Sequence, residues 1–137
     1  MLNVQFVDTN YVQQVWPLVE SYIQDSMDHD PTDAYNIHQV KSFLTSGQWI
    51  LLVAVDDKNA VHGAATISFA NYPNHRIAFI TNIGGKMIAN PETFKQFKQI
   101  VAQYGATKVQ AYCRKSMVRL LSKYGFEPIT TLIEVSL

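Results

Sequence analysis

Three groups of residues have the chemistry to do more than build a core. Gly84-Gly85-Lys86 places two glycines before a cation. Bare backbone N–H groups and a nearby Lys can cradle a phosphate, and Arg114 could supply a second counter-charge. The same pair of glycines also suits a bulge or turn that needs a positive φ. Asp25, Asp28, Asp30 and Asp33 surround His29, a composition that could hold a metal. The stretch lacks the central Gly and final Glu of an EF-hand loop, so a solvated acidic loop is the better reading. Tyr112, Tyr124, His75 and Cys113 are isolated ionisable groups, and no motif marks any of them as an acid or a nucleophile.

The elements that would position these residues must fit one domain, residues 1–137. Hydrophobic residues make up 47% of the chain, enough for a packed core, and charged residues only 16%. Eleven Lys and Arg balance eleven Asp and Glu. This balance disfavours a nucleic-acid binder and an acidic solvating tail. A single cysteine excludes an internal disulfide framework and a Cys-rich zinc site. The start, MLNVQFVDTN, does not read as a secretory signal, and no apolar run is long enough to span a membrane. The expected setting is therefore the cytoplasm, or a particle assembled there. Charge is asymmetric along the chain. Before Lys41 lie six acids and no Lys or Arg; from Lys86 to Lys123 lie eight bases and one acid, Glu92. The basic half could concentrate an anionic ligand, or the two halves could simply form different solvated faces.

Periodicity gives the order β-α-α-β-β-β-α-β-α-β. Asn3–Asp8 reads as a strand, with Thr9 or Asn10 capping a helix whose inward face is Val12, Val15, Trp16, Val19, Tyr22 and Ile23. Pro17 predicts a kink, or a helix that starts near Trp16. Asn36 caps a second helix, which Gly47 stops. Trp49–Val55 is continuously apolar, as in a strand covered on both faces. The short turns DDKNA and NYPNH join it to Val61–Ala70 and Arg76–Ile83 in an antiparallel meander. Asn90, Pro91 and Glu92 open a helix with Phe94, Phe97, Ile100, Val101 and Tyr104 inward. Thr107–Cys113, Ser116–Tyr124 and Ile129–Leu137 read as strand, short basic helix and final strand. Trp16, Val19, Phe94, Phe97, Val101, Leu120 and Phe126 are expected to be buried. The expected class is α/β (α+β), a mixed, mainly antiparallel twisted sheet with helices on both faces.

The stretch Tyr104-Gly105-Ala106-Thr107-Lys108-Val109, followed by Ser116 to Phe126 with its Lys123-Tyr124-Gly125-Phe126, resembles the closing pattern of the GNAT superfamily, the GCN5-related N-acetyltransferases. In that pattern a helix ends in Gly-Ala, a strand follows, and a short helix ends in Lys-x-Gly-Phe. The element order resembles the family over nearly the whole chain; the motif resemblance is confined to residues 104–126. Ile67–Gly85 is similar to small GNAT-like proteins of tailed bacteriophages, some of which are virion proteins.

The resemblance implies an N-acetyltransferase-like protein, phage-encoded, that uses acetyl-CoA if active and otherwise no cofactor. It also implies a phosphate-binding loop of the form Arg/Gln-x-x-Gly-x-Gly/Ala before the third helix. Here Gly85 falls at the Arg/Gln position, and Ile88 and Asn90 fall at the small-residue positions. Pro91 lacks an N–H and Glu92 adds a negative charge, so acetyl-CoA binding is expected to be weak or absent. The remaining cofactor-binding candidates are Gly84, Gly85, Lys86 and Arg114. The family's usual general-acid position holds Leu121, which cannot protonate a thiolate; no catalytic residue is assigned. The alternative is a non-catalytic protein, virion-associated or bound to a host factor. Its low charge favours a protein partner or self-association, with no membrane and no specific nucleic acid.

Overall fold

The strand Ile50–Val55 (β2) fixes the architecture, because every one of its residues is buried. Leu51, Val53 and Val55 point to one face of the sheet, while Ile50, Leu52 and Ala54 point to the other. A strand with no polar face must be covered twice. The computed structural model describes residues 1–137 and supplies both covers. On one face lie helices Val12–Asp28 (α1) and Ile37–Thr45 (α2); on the other lies Pro91–Gln103 (α3).

The sheet has five strands in the order of the chain. Asn3–Val7 (β1), β2, Val61–Asn71 (β3) and Arg76–Gly85 (β4) pair antiparallel. Lys108–Ala111 (β5) pairs parallel to β4, across the crossover helix α3. The expected meander and mixed sheet are both present. A last helix, Lys115–Ser122 (α4), buries none of its residues.

Local chemistry explains the boundaries. Asp8, rather than Thr9 or Asn10, caps the entry to α1: its carboxylate accepts the Asn10 N–H at 2.9 Å and starts a short 3-10 turn, Thr9–Tyr11. The helix then begins at Val12 and continues through Pro17, instead of starting near Trp16. Val12, Trp16, Val19 and Ile23 are all buried on its inner face, and that burial outweighs the one backbone bond that Pro17 removes. α1 also extends to Asp28, into the expected acidic loop. Gln24 donates to Asp28 at 2.9 Å and the His29 ring meets the Asp25 carbonyl at 2.8 Å, which finishes the last turn. α2 and α3 both open with capping boxes, Asn36 with Gln39 and Asn90 with Thr93.

Two expectations fail near the end of the chain. Ile129–Leu137 forms no strand: it pairs with nothing and stands in solvent. Leu120 is 46% exposed, because no element packs over that side of α4. Of the other expected core residues, Trp16, Val19, Phe94, Phe97 and Val101 are buried, and Phe126 packs half-buried against Phe94.

Candidate functional site where β4 and β5 part

β5 follows β4 only from Ile77–Lys108 to Ile80–Ala111. β4 continues to Gly85 with no strand on that side. The change falls at a β-bulge. Thr66 of β3 faces Asn82 and Ile67 faces Ile80, so Thr81 is an extra residue. A bulge bends its strand and re-aims its side chains. Here it turns both Thr81 and Asn82 toward Thr66.

These three residues make a directed chain of hydrogen bonds. The Asn82 amide donates to Thr66 Oγ1 at 2.8 Å. The Thr66 and Thr81 hydroxyls meet at 2.6 Å, and Thr81 donates to the Thr66 carbonyl at 2.9 Å. Since Thr81 spends its proton on the carbonyl, Thr66 donates to Thr81. Thr66 is fully buried and Asn82 is 3% exposed. No buried side-chain polar atom lacks a partner, yet the protein offers none to Asn82 Oδ1. That oxygen is therefore the acceptor through which this side chain meets solvent.

α1 closes over the far end of β4. Ser26 Oγ accepts the Ile83 N–H at 3.1 Å, on the side that β5 has left. Tyr22 lies over the two glycines and donates to the Val61 carbonyl at 3.2 Å. A Cβ on Gly84 would stand 2.5 Å from the Tyr22 carbonyl oxygen. One on Gly85, whose φ is +65°, would overlap the His62 carbonyl oxygen. The space that both glycines leave is thus filled by protein. Of the four candidate cofactor contacts, Gly84 and Gly85 serve this packing and the positive φ, while Lys86 and Arg114 present exposed side chains.

The turn from β4 to α3 uses most of its own N–H groups. Lys86 N–H goes to the His62 carbonyl at 2.8 Å. Thr93 Oγ1 accepts from Ala89 and Asn90, and Asn90 Oδ1 accepts from Thr93. The N–H groups of Met87, Ile88 and Glu92 take no protein acceptor, and Pro91 has none to give. Asn90 and Thr93 thus occupy part of the N–H set that a phosphate could use, and leave part of it open.

The second wall is the end of β5. Tyr112 follows its last residue, 60% exposed, with its ring edge-on to Phe79 of β4 at 5.0 Å. Cys113 is exposed beside it, and Arg114 is the N-cap residue of α4. Tyr124, by contrast, packs edge-on against Phe94, and His75 bonds to Thr107 at 3.1 Å. Asp28, Asp30 and Asp33 line an open cleft of about 280 Å³ with Tyr35 and Asn36. They form no group able to hold a metal ion. The cleft's lining takes in Gln24, Met27 and Asp28 at the end of α1 but no residue of β4 or β5.

The most perturbed carboxylate lies outside this site. Asp56, in the β2–β3 turn, is held at about 2 against the usual 3.8. The His62 ring, 2.8 Å away, is the main cause, and the Ala60 and Lys58 N–H groups add to it. Neither Asp56 nor the Thr66–Thr81–Asn82 chain was singled out from sequence. The pairing of His62 with Asp56 depends on hairpin register, and the bulge leaves no mark in residue type.

The architecture matches solved acetyltransferases from end to end. An aminoglycoside acetyltransferase from an uncultured soil metagenomic sample superposes with a TM-score of 0.70 at 15% identity, covering 100% of this chain and 99% of that one. A predicted acetyltransferase of Clostridium acetobutylicum, crystallised with acetyl-CoA, gives 0.64 at 16% identity, covering 99% and 96%. An aminoglycoside 6'-N-acetyltransferase of Acinetobacter baumannii gives 0.65 at 13%, covering 99% and 97%. The fold is GNAT-like. No family model matches the sequence, and no curated protein matches it. No helix is long and apolar enough to cross a membrane.

Proposed function

We propose that the chain transfers an acyl group, acetyl in the simplest case, from a coenzyme A thioester to an amine. The gap that opens beyond Ile80 and Ala111 carries this reading. Parted strands expose a lane of unpaired backbone, which suits an extended amide-bearing chain such as pantetheine. The free N–H groups of Ile88 and Glu92, with the exposed Lys86 and Arg114, fit the pyrophosphate end; Met87 is fully buried and offers nothing there. Glu92 and the filled glycine pair weaken that end, so low affinity is expected.

The amine nitrogen attacks the thioester carbonyl carbon and the carbon–sulfur bond breaks. The departing sulfur takes a proton from the Tyr112 hydroxyl, and the new amide nitrogen gives its surplus proton to water. Tyr112 takes this role because it stands at the gap, where Leu121 offers no proton. Asn82 Oδ1 can hold an N–H of the acceptor. The acidic cleft at the end of α1 attracts positive charge, which favours a cationic acceptor. Aminoglycoside acetyltransferases of the same fold make aminoglycosides the first acceptors to try.

Calorimetric titration with acetyl-CoA, followed by an acetyl-transfer assay on an amine panel, tests the proposal. Saturable binding with turnover supports it, and Tyr112→Phe should then lower kcat while leaving acetyl-CoA affinity unchanged. No binding at millimolar acetyl-CoA would sink it.

A second reading is favoured by Ser26 and Tyr22. They occupy an N–H and a space at the β4 end that a thioester could use. On this reading the protein is a non-catalytic, phage-encoded binder that works through a protein partner. A pull-down that recovers a stoichiometric partner, with no acetyl-CoA binding, would select it.

A further inference from the structure

α3 ends at Gln103, and the chain turns at Gly105 toward β5. Past that end a row of aromatic rings lies on the α3 face of the sheet. Phe6 comes from β1 and Phe69 from β3, and the Tyr104 ring bridges them from the C-cap of α3. Its centre stands 5.8 Å from that of Phe6 and 5.4 Å from that of Phe69. Phe6 is 40% exposed and Tyr104 37%. One end of the row carries a cation. The Arg76 guanidinium lies over Phe69, 4.5 Å from the ring centre, where Nε donates to the Tyr104 carbonyl and Nη1 to Asn71 Oδ1, each at 2.8 Å. The other end carries an acid, Asp8, two residues beyond Phe6. Burial raises the Tyr104 hydroxyl above the usual tyrosine value, and the Asp8 carboxylate adds to it. Neither Asp8 nor Arg76 has an ion-pair partner within the chain.

We propose that this row is the contact surface of a two-fold dimer of the chain. A two-fold axis at Tyr104 reverses the row, so Phe6 and Asp8 of each copy meet Phe69 and Arg76 of the other. Charge chooses the second copy as occupant. The acid and the base stand at opposite ends, which makes the row complementary to its own reverse. A partner of a single charge sign would leave one of the two unpaired. Tyr and Arg are also the residue types that anchor interfaces, and Arg76 is already held by Tyr104 and Asn71, so ordering it costs little. The formal net charge is zero, so two copies have no general repulsion to overcome. The row lies at the start of β4, whereas the gap opens beyond Ile80, so this inference is independent of acyl transfer.

The test uses the full chain and a charge exchange. Light scattering should give twice the monomer mass for the wild type. Asp8→Arg and Arg76→Asp should each give a monomer, because each sets like charges against each other at both ends of the row. An equal mixture of the two variants should return to twice the mass, since every charge then meets its opposite in the partner. Recovery in the mixture shows that both variants are folded and that Asp8 and Arg76 face each other across the axis. Tyr104→Lys leaves the Asp8 cap and the Arg76 hydrogen bonds in place and sets two cations together at the axis, so it should also be monomeric, with a cooperative urea transition. A wild-type monomer would overturn the proposal. So would a dimer that survives Tyr104→Lys, or folded single variants whose mixture stays monomeric. If either charge variant fails to fold, the mass of Tyr104→Lys decides.

Discussion

Gly85 shows how one residue can be demanded by its surroundings rather than by a ligand. Its φ of +65° and the His62 carbonyl above it leave no room for a Cβ. Gly85→Ala should therefore destabilise the fold by more than about 1 kcal/mol, read from urea unfolding. The neighbouring hairpin carries the pH dependence. Asp56 sits near 2 in the folded chain and near 3.8 when free of His62 and the turn amides. A carboxylate lowered on folding stabilises above its free value, and that contribution is lost as pH falls through the folded value. Stability should thus decline between about pH 4 and pH 2, and Asp56→Asn should flatten that part of the urea-midpoint profile. Two rings illustrate the residue-level limits of sequence. Phe94 and Phe97 declare their burial through helical spacing, whereas Tyr112 gains its place at the gap only because β5 ends one residue earlier.

At the scale of elements, α3 is the best-determined piece. Asn90, Pro91 and Glu92 announce its start, and Phe94, Phe97 and Val101 its buried face. Phe97 is fully buried between α3 and the sheet, so Phe97→Ala should cost roughly 3–5 kcal/mol in chemical unfolding. Asn90→Ala should cost about 1 kcal/mol through loss of the cap, and it would free the Thr93 N–H. If the β4–α3 turn binds the pyrophosphate, that variant should bind acetyl-CoA more tightly despite its lower stability; calorimetry reads both signs. α1 was legible on its inner face and illegible at its ends. The Asp8 cap and the Gln24–Asp28 bond are local, but propensity gave them less weight than Pro17 and the run of aspartates.

At the scale of the molecule, the parting of β4 from β5 sets the site. A chain that acts as an acyltransferase needs the gap between β4 and β5 open. What the sequence alone determined is everything that repeats with a period or punctuates one. The apolar run of β2 required two covered faces, the short turns DDKNA and NYPNH required an antiparallel meander, and the caps at Asn36 and Asn90 required helices there. Those signals are local, because a backbone period and a cap involve residues within a few positions of one another. Only the tertiary structure decided the bulge at Thr81, the chain that leaves Asn82 Oδ1 free, and Tyr22 in the space of the glycines. It also decided that Ile129–Leu137, a strand by pattern, stands unpaired. Each of these depends on register and on which edge a segment reaches, and those are settled by partners far away in sequence.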